Sequence, residues 1–257
     1  MKEILNVSLV QTSLAWEAPA LNREHFDTIL EKVDPDTQLV VLPEMFSTGF
    51  TMEPQNLTES QAKSTLLWMQ EQAFQKGMAV VGSLVWPENG KYFNRLFFVF
   101  PDGTYQHYNK RHTFTLAGED KIYSAGQERL IVDYAGFKIC PLICYDLRFP
   151  VWSRNTLDYD VLIYVANWPE PRVDAWDSLL KARAIENMSY SIGVNRVGSD
   201  ANGHTYVGHS AVYDLLGVAK AFSKEDEILF ATIDKSHIED VREKLKFLQD
   251  RDSFSLE

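Results

Sequence analysis

The feature that most constrains this chain is a set of apolar runs, each about one strand long and apolar at every position. Val161-Leu162-Ile163-Tyr164-Val165-Ala166 and Leu39-Val40-Val41-Leu42 show no alternation. A strand with one wet face alternates, whereas a strand apolar throughout is covered on both faces. Chains that mix such strands with amphipathic helices must stack sheets and helices in layers. The same runs fall far short of the ~18–20 residues of a membrane helix.

The order of elements sharpens this. A strand at Asn6–Gln11 precedes a helix over about Ala18–Val33, with Leu21, Phe26, Ile29, Leu30 and Val33 on one face. Next come a strand at Gln38–Leu42 closed by Pro43, a helix over Glu59–Lys76, and strands at Met78–Val85, Arg95–Phe100 and Thr104–Tyr108. Asp102-Gly103 turns the last two into a hairpin. After an irregular polar segment at Asn109–Gln127, strands return at Leu130–Tyr134 and Phe137–Ile143, linked by Ala135-Gly136. A short helix, the strand Val161–Ala166 and a helix over Val173–Asn187 follow. Strands at Ser191–Asn195, Ser210–Asp214, Val218–Ala221 and Glu227–Thr232 and a charged helix at Lys235–Lys246 complete the order. Early β-α-β-α alternation with later hairpins predicts an α/β protein: two packed mixed β-sheets covered by outer helices, in one domain over 1–257.

Composition narrows the partners. A net charge of −11 disfavours a nucleic-acid or anionic-membrane surface, which wants basic patches. It leaves room for an anionic small molecule, because a site can carry local cations. Only two cysteines occur, Cys140 and Cys144, in one apolar stretch. They form no disulfide framework, and with no apolar leader at the N-terminus the expected setting is the reducing cytoplasm. Cys-x3-Cys without further ligands nearby is no zinc site.

Three polar residues stand where strands end, and a fourth lies in the irregular segment. Cys144 closes Phe137–Ile143 and opens the run Tyr145-Asp146-Leu147-Arg148. A nucleophile at a strand-to-helix turn projects beyond the sheet edge, and the turn offers backbone N–H groups to an oxyanion. A buried structural cysteine is the other reading, and it is the one that suits Cys140, inside the strand. Glu44 follows Leu39–Pro43, at the carboxyl end of a strand where open α/β sheets place their sites. Lys110 in His107-Tyr108-Asn109-Lys110-Arg111-His112 and Glu119 in Ala117-Gly118-Glu119-Asp120 each read alone as solvated loop charges.

Together the fragments V-V-L-P-E, Y-N-K-R-H, A-G-E-D and I-C-Y-D-L-R-F-P resemble, in this order, the signature of the nitrilase (carbon–nitrogen hydrolase) superfamily. The resemblance spans nearly the whole chain, through Val165-Ala166-Asn167-Trp168-Pro169 and Ala182–Asn187 to Gly208-His209-Ser210. Cys144–Asn155 is most similar to the bacterial omega-amidases, which act on 2-oxoglutaramate and 2-oxosuccinamate. One departure is Asp214-Leu215-Leu216-Gly217, where the family usually carries D-P-x-G.

The resemblance implies a four-layer αββα sandwich, a homodimer, and no cofactor or metal. It implies that Cys144 is the nucleophile of a thioester pathway and that Glu44 is the general base and acid. Lys110 and the N–H of Tyr145 would hold the oxyanion, and Glu119 would hold Lys110 or the substrate. A 2-oxo acid substrate brings a carboxylate, for which Arg172 is the first candidate partner and Arg148 the second; Arg148 could instead be a structural ion-pair partner. Phe46, Phe50 and Trp168 could wall the pocket, while the stripe Trp176/Leu179/Leu180 reads as core. Alternatives are another hydrolase of the superfamily (aliphatic amide, N-carbamoyl amine or nitrile) or a non-catalytic interaction module on the same fold. A papain-like Cys–His hydrolase is a further one, although His204, His209 and His237 lie in contexts that do not match it.

Overall fold

The computed structural model describes residues 3–255. The first half supplies β1 (Ile4–Gln11), α1 (Pro19–Leu30), β2 (Leu39–Val41), α2 (Glu59–Lys76), β3 (Ala79–Glu88), β4 (Lys91–Val99) and β5 (Tyr105–Asn109). The second supplies β6 (Val132–Tyr134), β7 (Phe137–Ile143), α3 (Pro150–Ser153), β8 (Val161–Val165), α4 (Val173–Asn187) and β9 (Tyr190–Val194). It ends with β10 (Val197–Ser199), β11 (Thr205–Val207), β12 (Ser210–Tyr213), β13 (Ala219–Ser223), β14 (Glu227–Asp234) and α5 (Lys235–Leu245).

Two six-stranded sheets result, in the orders β14-β1-β2-β3-β4-β5 and β13-β12-β9-β8-β7-β6. Each has parallel strands at its centre, β1-β2-β3 and β7-β8-β9, and antiparallel strands outside them. The mixed two-sheet sandwich expected from the apolar runs is the observed architecture.

Strand β2 shows why those runs are continuous. Leu39 and Val41 point into the layer between the sheets, alongside Leu5, Val7, Ile139 and Val161. Val40 and the following Leu42 point the other way, onto Phe26 and Leu30 of α1 and Leu66 and Met69 of α2. With a side-chain period of two and both faces covered, every position must be apolar. On the second sheet α4 presses Trp176 and Leu180 so closely that a Cβ on Gly193 would lie 2.3 Å from Leu180 Cδ1. A side chain at that strand position would force Leu180 and Trp176 to move.

Local chemistry fixes the ends of α2. Thr58 and Gln61 form a reciprocal capping box, and Gly77 stops the helix in the left-handed conformation with φ 65°. Two expectations are corrected. Helix α1 ends at Leu30 rather than Val33, and Leu21 is 60% exposed instead of joining the buried face. Strands β3 and β4 run on to meet at Asn89-Gly90, so the hairpin is longer than the apolar pattern indicated. The short pair β10–β11 has no apolar run to announce it.

Cys140 lies inside β7 opposite Leu162, fully buried, and burial pushes its thiol up to about 12. We expect Cys140→Ala to cost about 1 kcal/mol through the small cavity it leaves, with turnover largely intact. Urea unfolding and ammonia release measure both; loss of turnover in a folded variant would contradict the core assignment.

Candidate active site

Parallel pairing brings functional groups to one edge. Ile143 of β7 is in register with Val165 of β8, so the chain leaves both strands on the same side, into Cys144 and Asn167. From the other sheet come Glu44, just past β2, and Lys110, just past β5.

The turns that deliver these residues are sharp. Cys144 sits at φ 43°, and Met45, after Glu44, at φ 44°. For residues with a Cβ the left-handed region costs about 1–2 kcal/mol, and such conformations cluster at functional sites. Ser83 of β3 secures the first turn: its hydroxyl accepts the Met45 N–H at 2.8 Å and its carbonyl the Phe46 N–H at 3.3 Å. Asp146 secures the second. Its Oδ2 accepts the Ile143 N–H at 3.0 Å and the Tyr108 hydroxyl at 2.8 Å, and its Oδ1 accepts the His112 N–H at 3.0 Å. One carboxylate thus ties the cysteine turn to both sides of Lys110.

The charges at the centre are buried. Glu44 and Glu119 are 0% exposed and Lys110 1%. The Lys110 ammonium donates to Glu44 Oε1 at 3.0 Å and to Glu119 Oε2 at 2.9 Å. Burial opposes the charge on Lys110, but Glu119 and Glu44 more than offset it and hold the ammonium far above the ordinary lysine range. Burial pushes the Glu119 carboxyl up, while Lys110 and the Phe114 N–H pull it back. Glu44 also accepts the Asn94 amide on Oε1 at 2.7 Å and the Asn167 N–H on Oε2 at 2.8 Å. Burial raises the Cys144 thiol well above its ordinary value, Glu44 raises it further by charge and hydrogen bonding, and Lys110 opposes both. The site therefore sets a thiol whose pKa is raised beside the Glu44 carboxyl group.

These groups open onto one cavity. Glu44, Lys110, Cys144 and Asn167 line its floor, and Phe50, Phe114, Tyr145 and Trp168 its walls. Arg148 and Arg172 face it too, their guanidinium groups 4.8 Å from the Trp168 ring and 5.2 Å from the Phe114 ring. Neither arginine pairs with a carboxylate among the described residues, so the structural ion pair considered for Arg148 is absent there. Glu119 does not line the cavity; it stands behind Lys110. Phe46, expected as a wall, is instead core: it is 0% exposed and packs on Phe26 and Trp68 beneath α1 and α2. The left-handed turn at Met45 directs it away from the site.

The sequence reading missed several contributors. Asn94, inside β4, touches both acids. The β10–β11 hairpin brings Asp200, His204 and Tyr206 to the cavity rim, where Asp200 is occupied by the His204 and Asn202 N–H groups and the Tyr206 hydroxyl. Neither Asn94 nor the hairpin left a sequence signal of its own. No imidazole hydrogen-bonds to Cys144 among the described residues, and His209 is engaged with Asp177 at 2.8 Å, which removes the papain-like reading.

The carbon–nitrogen hydrolase family model matches residues 6–243. The chain belongs to that family. It is similar to omega-amidase YafV of Escherichia coli (strain K12), at 43% identity with 98% of each chain covered. It is 33% identical to the 2-oxoglutaramate amidase of Bacillus subtilis (strain 168), with 95% of this chain and 96% of that one covered. Among solved structures, XC1258 from Xanthomonas campestris, a carbon–nitrogen hydrolase superfamily protein with an arsenic adduct in its active site, superposes with a TM-score of 0.96. Its identity is 41% and the match covers 99% of each chain. The carbon–nitrogen hydrolase is an enzyme that cleaves amides, which excludes a purely structural module. Among its described residues no helix is long and apolar enough to cross a membrane.

The charge arrangement predicts that no thiolate resides on Cys144 at neutral pH. Ultraviolet difference absorbance between wild type and Cys144→Ala should show a thiolate band only well above the ordinary thiol value of 9.0. A full band at neutral pH would mean that the burial and carboxylate effects are outweighed by Lys110.

Proposed function

We propose that the enzyme is an omega-amidase: it hydrolyses the terminal amide of a short 2-oxo dicarboxylic acid monoamide, such as 2-oxoglutaramate or 2-oxosuccinamate, to the 2-oxo acid and ammonia. The observation that carries this reading is one cavity containing Cys144, Glu44 and Lys110 together with two arginines that have no carboxylate partner among the described residues. The first set suits an amide carbon, the second a carboxylate at the far end of the same small molecule. The names of the similar amidases point the same way.

In the first step Cys144 Sγ attacks the amide carbon as its proton passes to Glu44. The Lys110 ammonium and the Tyr145 N–H stabilise the tetrahedral oxyanion, each such donor being worth on the order of 3 kcal/mol. Glu44 then gives the same proton to the departing nitrogen, and ammonia leaves a thioester on Cys144. A water that loses a proton to Glu44 attacks the thioester, and the proton returns to sulfur as the oxo acid departs. Glu119 serves by holding Lys110.

The reading includes one domain over 1–257, since both halves build the layer between the sheets, and a cytoplasmic homodimer. Two free cysteines suit a reducing compartment, and the exposed apolar side chains of Ile185, Leu216 and Val218 on neighbouring segments suit a subunit contact.

Cys144→Ala should abolish ammonia release while leaving the fold intact. Glu44→Gln and Lys110→Ala should each lower kcat by about a hundredfold or more; a change confined to KM would remove the role assigned to that residue. On a substrate panel, the omega-amide of a short 2-oxo acid should exceed glutamine and asparagine by about tenfold or more in kcat/KM, which needs only about 1.4 kcal/mol. An α-ammonium would have to be desolvated beside arginines. Arg172→Ala should raise KM for the oxo acid and affect an uncharged amide much less. If glutamine is the better substrate, or an uncharged amide suffers equally, the substrate assignment fails and the amidase activity stands.

A further inference from the structure

Asn94 is 1% exposed in β4, and it touches both buried acids of the site and the backbone of Lys110. Its backbone carbonyl accepts the Lys110 N–H at 3.0 Å. Its side-chain nitrogen donates to Glu44 Oε1 at 2.7 Å and to Glu119 Oε1 at 3.5 Å. The amide can stand only this way round, since flipping it would set a carbonyl oxygen against two carboxylates.

Counting acceptor sites on Glu44 gives the consequence. A carboxylate oxygen accepts about two hydrogen bonds. Oε1 receives two, from Asn94 and Lys110. Among the described residues Oε2 receives one backbone donor, the Asn167 N–H at 2.8 Å, and has a second acceptor position that the Cys144 proton can take. We infer that Asn94 is a positioning residue for the hydrolysis: by occupying Oε1 and bridging to Glu119, it leaves Oε2 as the single oxygen of Glu44 that exchanges a proton with Cys144, with the nitrogen leaving group and with water. This rests on Glu44 as the base of the proposed function.

The bridge also serves the charge balance. Two carboxylates share one buried ammonium. A second cation would complete the neutralisation but would leave Glu44 a poor proton acceptor. A neutral amide donates to both carboxylates without that effect. The charged groups facing Glu44 are Lys110 and Glu119, with the Cys144 thiol and the Tyr123 and Tyr206 hydroxyls as its titratable neighbours. Donors to a carboxylate favour its charged form. Losing Asn94 removes a donor from each of the two acids.

The test uses Asn94→Leu, similar in volume and without a donor, and Asn94→Ser, which keeps a short donor. Asn94→Leu should lower kcat/KM by about thirtyfold or more, mainly through kcat, and move the acidic limb of the pH profile up by about half a unit or more. The acidic limb of Cys144 alkylation by iodoacetamide should move equally, and that measurement needs no substrate. Asn94→Ser should fall between wild type and Asn94→Leu, and it carries the test if the leucine variant does not fold. Limbs unchanged in both profiles, whatever the loss of melting temperature, would reduce Asn94 to a structural residue and overturn the inference. A shifted alkylation limb in an enzyme that ignores 2-oxo acid amides would leave the inference standing and remove the substrate assignment.

Discussion

The contact on which the site depends is the ammonium of Lys110 held between two buried carboxylates, 3.0 Å from Glu44 and 2.9 Å from Glu119. None of the three charges is tolerable alone at that depth. Removing one partner of a buried ion pair costs about 3–5 kcal/mol, because the other charge stays behind. The cluster is therefore a constraint on the fold as well as a chemical device. Glu44 must come from beside β2, Lys110 from the end of β5 and Glu119 from the irregular segment that follows, and all must arrive together.

The sandwich meets this demand through its parallel strands. Parallel neighbours deliver their carboxyl ends to a common edge, so Cys144 and Asn167 leave β7 and β8 side by side. Asp146 then links the cysteine turn to the segment carrying Lys110. Glu44, which we propose as the acceptor of the sulfur's proton, is held by the ammonium of Lys110, which we propose as a donor to the oxyanion. Oriented charge in a site without bulk water is the largest common source of rate enhancement in acyl transfer.

How much of this was legible in the sequence follows from what leaves a pattern. Doubly buried strands leave continuous apolar runs, so β2 and β8 were readable nearly to the residue. Glu44, Lys110, Glu119 and Cys144 were individually weak and gained meaning from their order. Phe46 was misplaced because the left-handed Met45 reverses its direction, and no apolar count reports a positive φ. Asn94 went unnoticed because a single asparagine in a strand is uninformative until its partners from β2 and the 119 segment are known. The β10–β11 hairpin has strands of three residues, too short to show a period. What the sequence hides is how separate segments meet.

The proposed mechanism joins an amide-cleaving centre to a cationic end of one cavity, and its first half depends on Cys144 forming a covalent link to the acyl group. Acid-quenching wild-type enzyme during turnover of 2-oxoglutaramate and mapping the trapped adduct by peptide mass spectrometry tests this directly. The expected result is the 2-oxoglutaryl mass on the peptide carrying Cys144, located to Cys144 and not Cys140, and absent from Cys144→Ala. Steady ammonia release with no adduct at any quench time, or with the adduct on another residue, would contradict it.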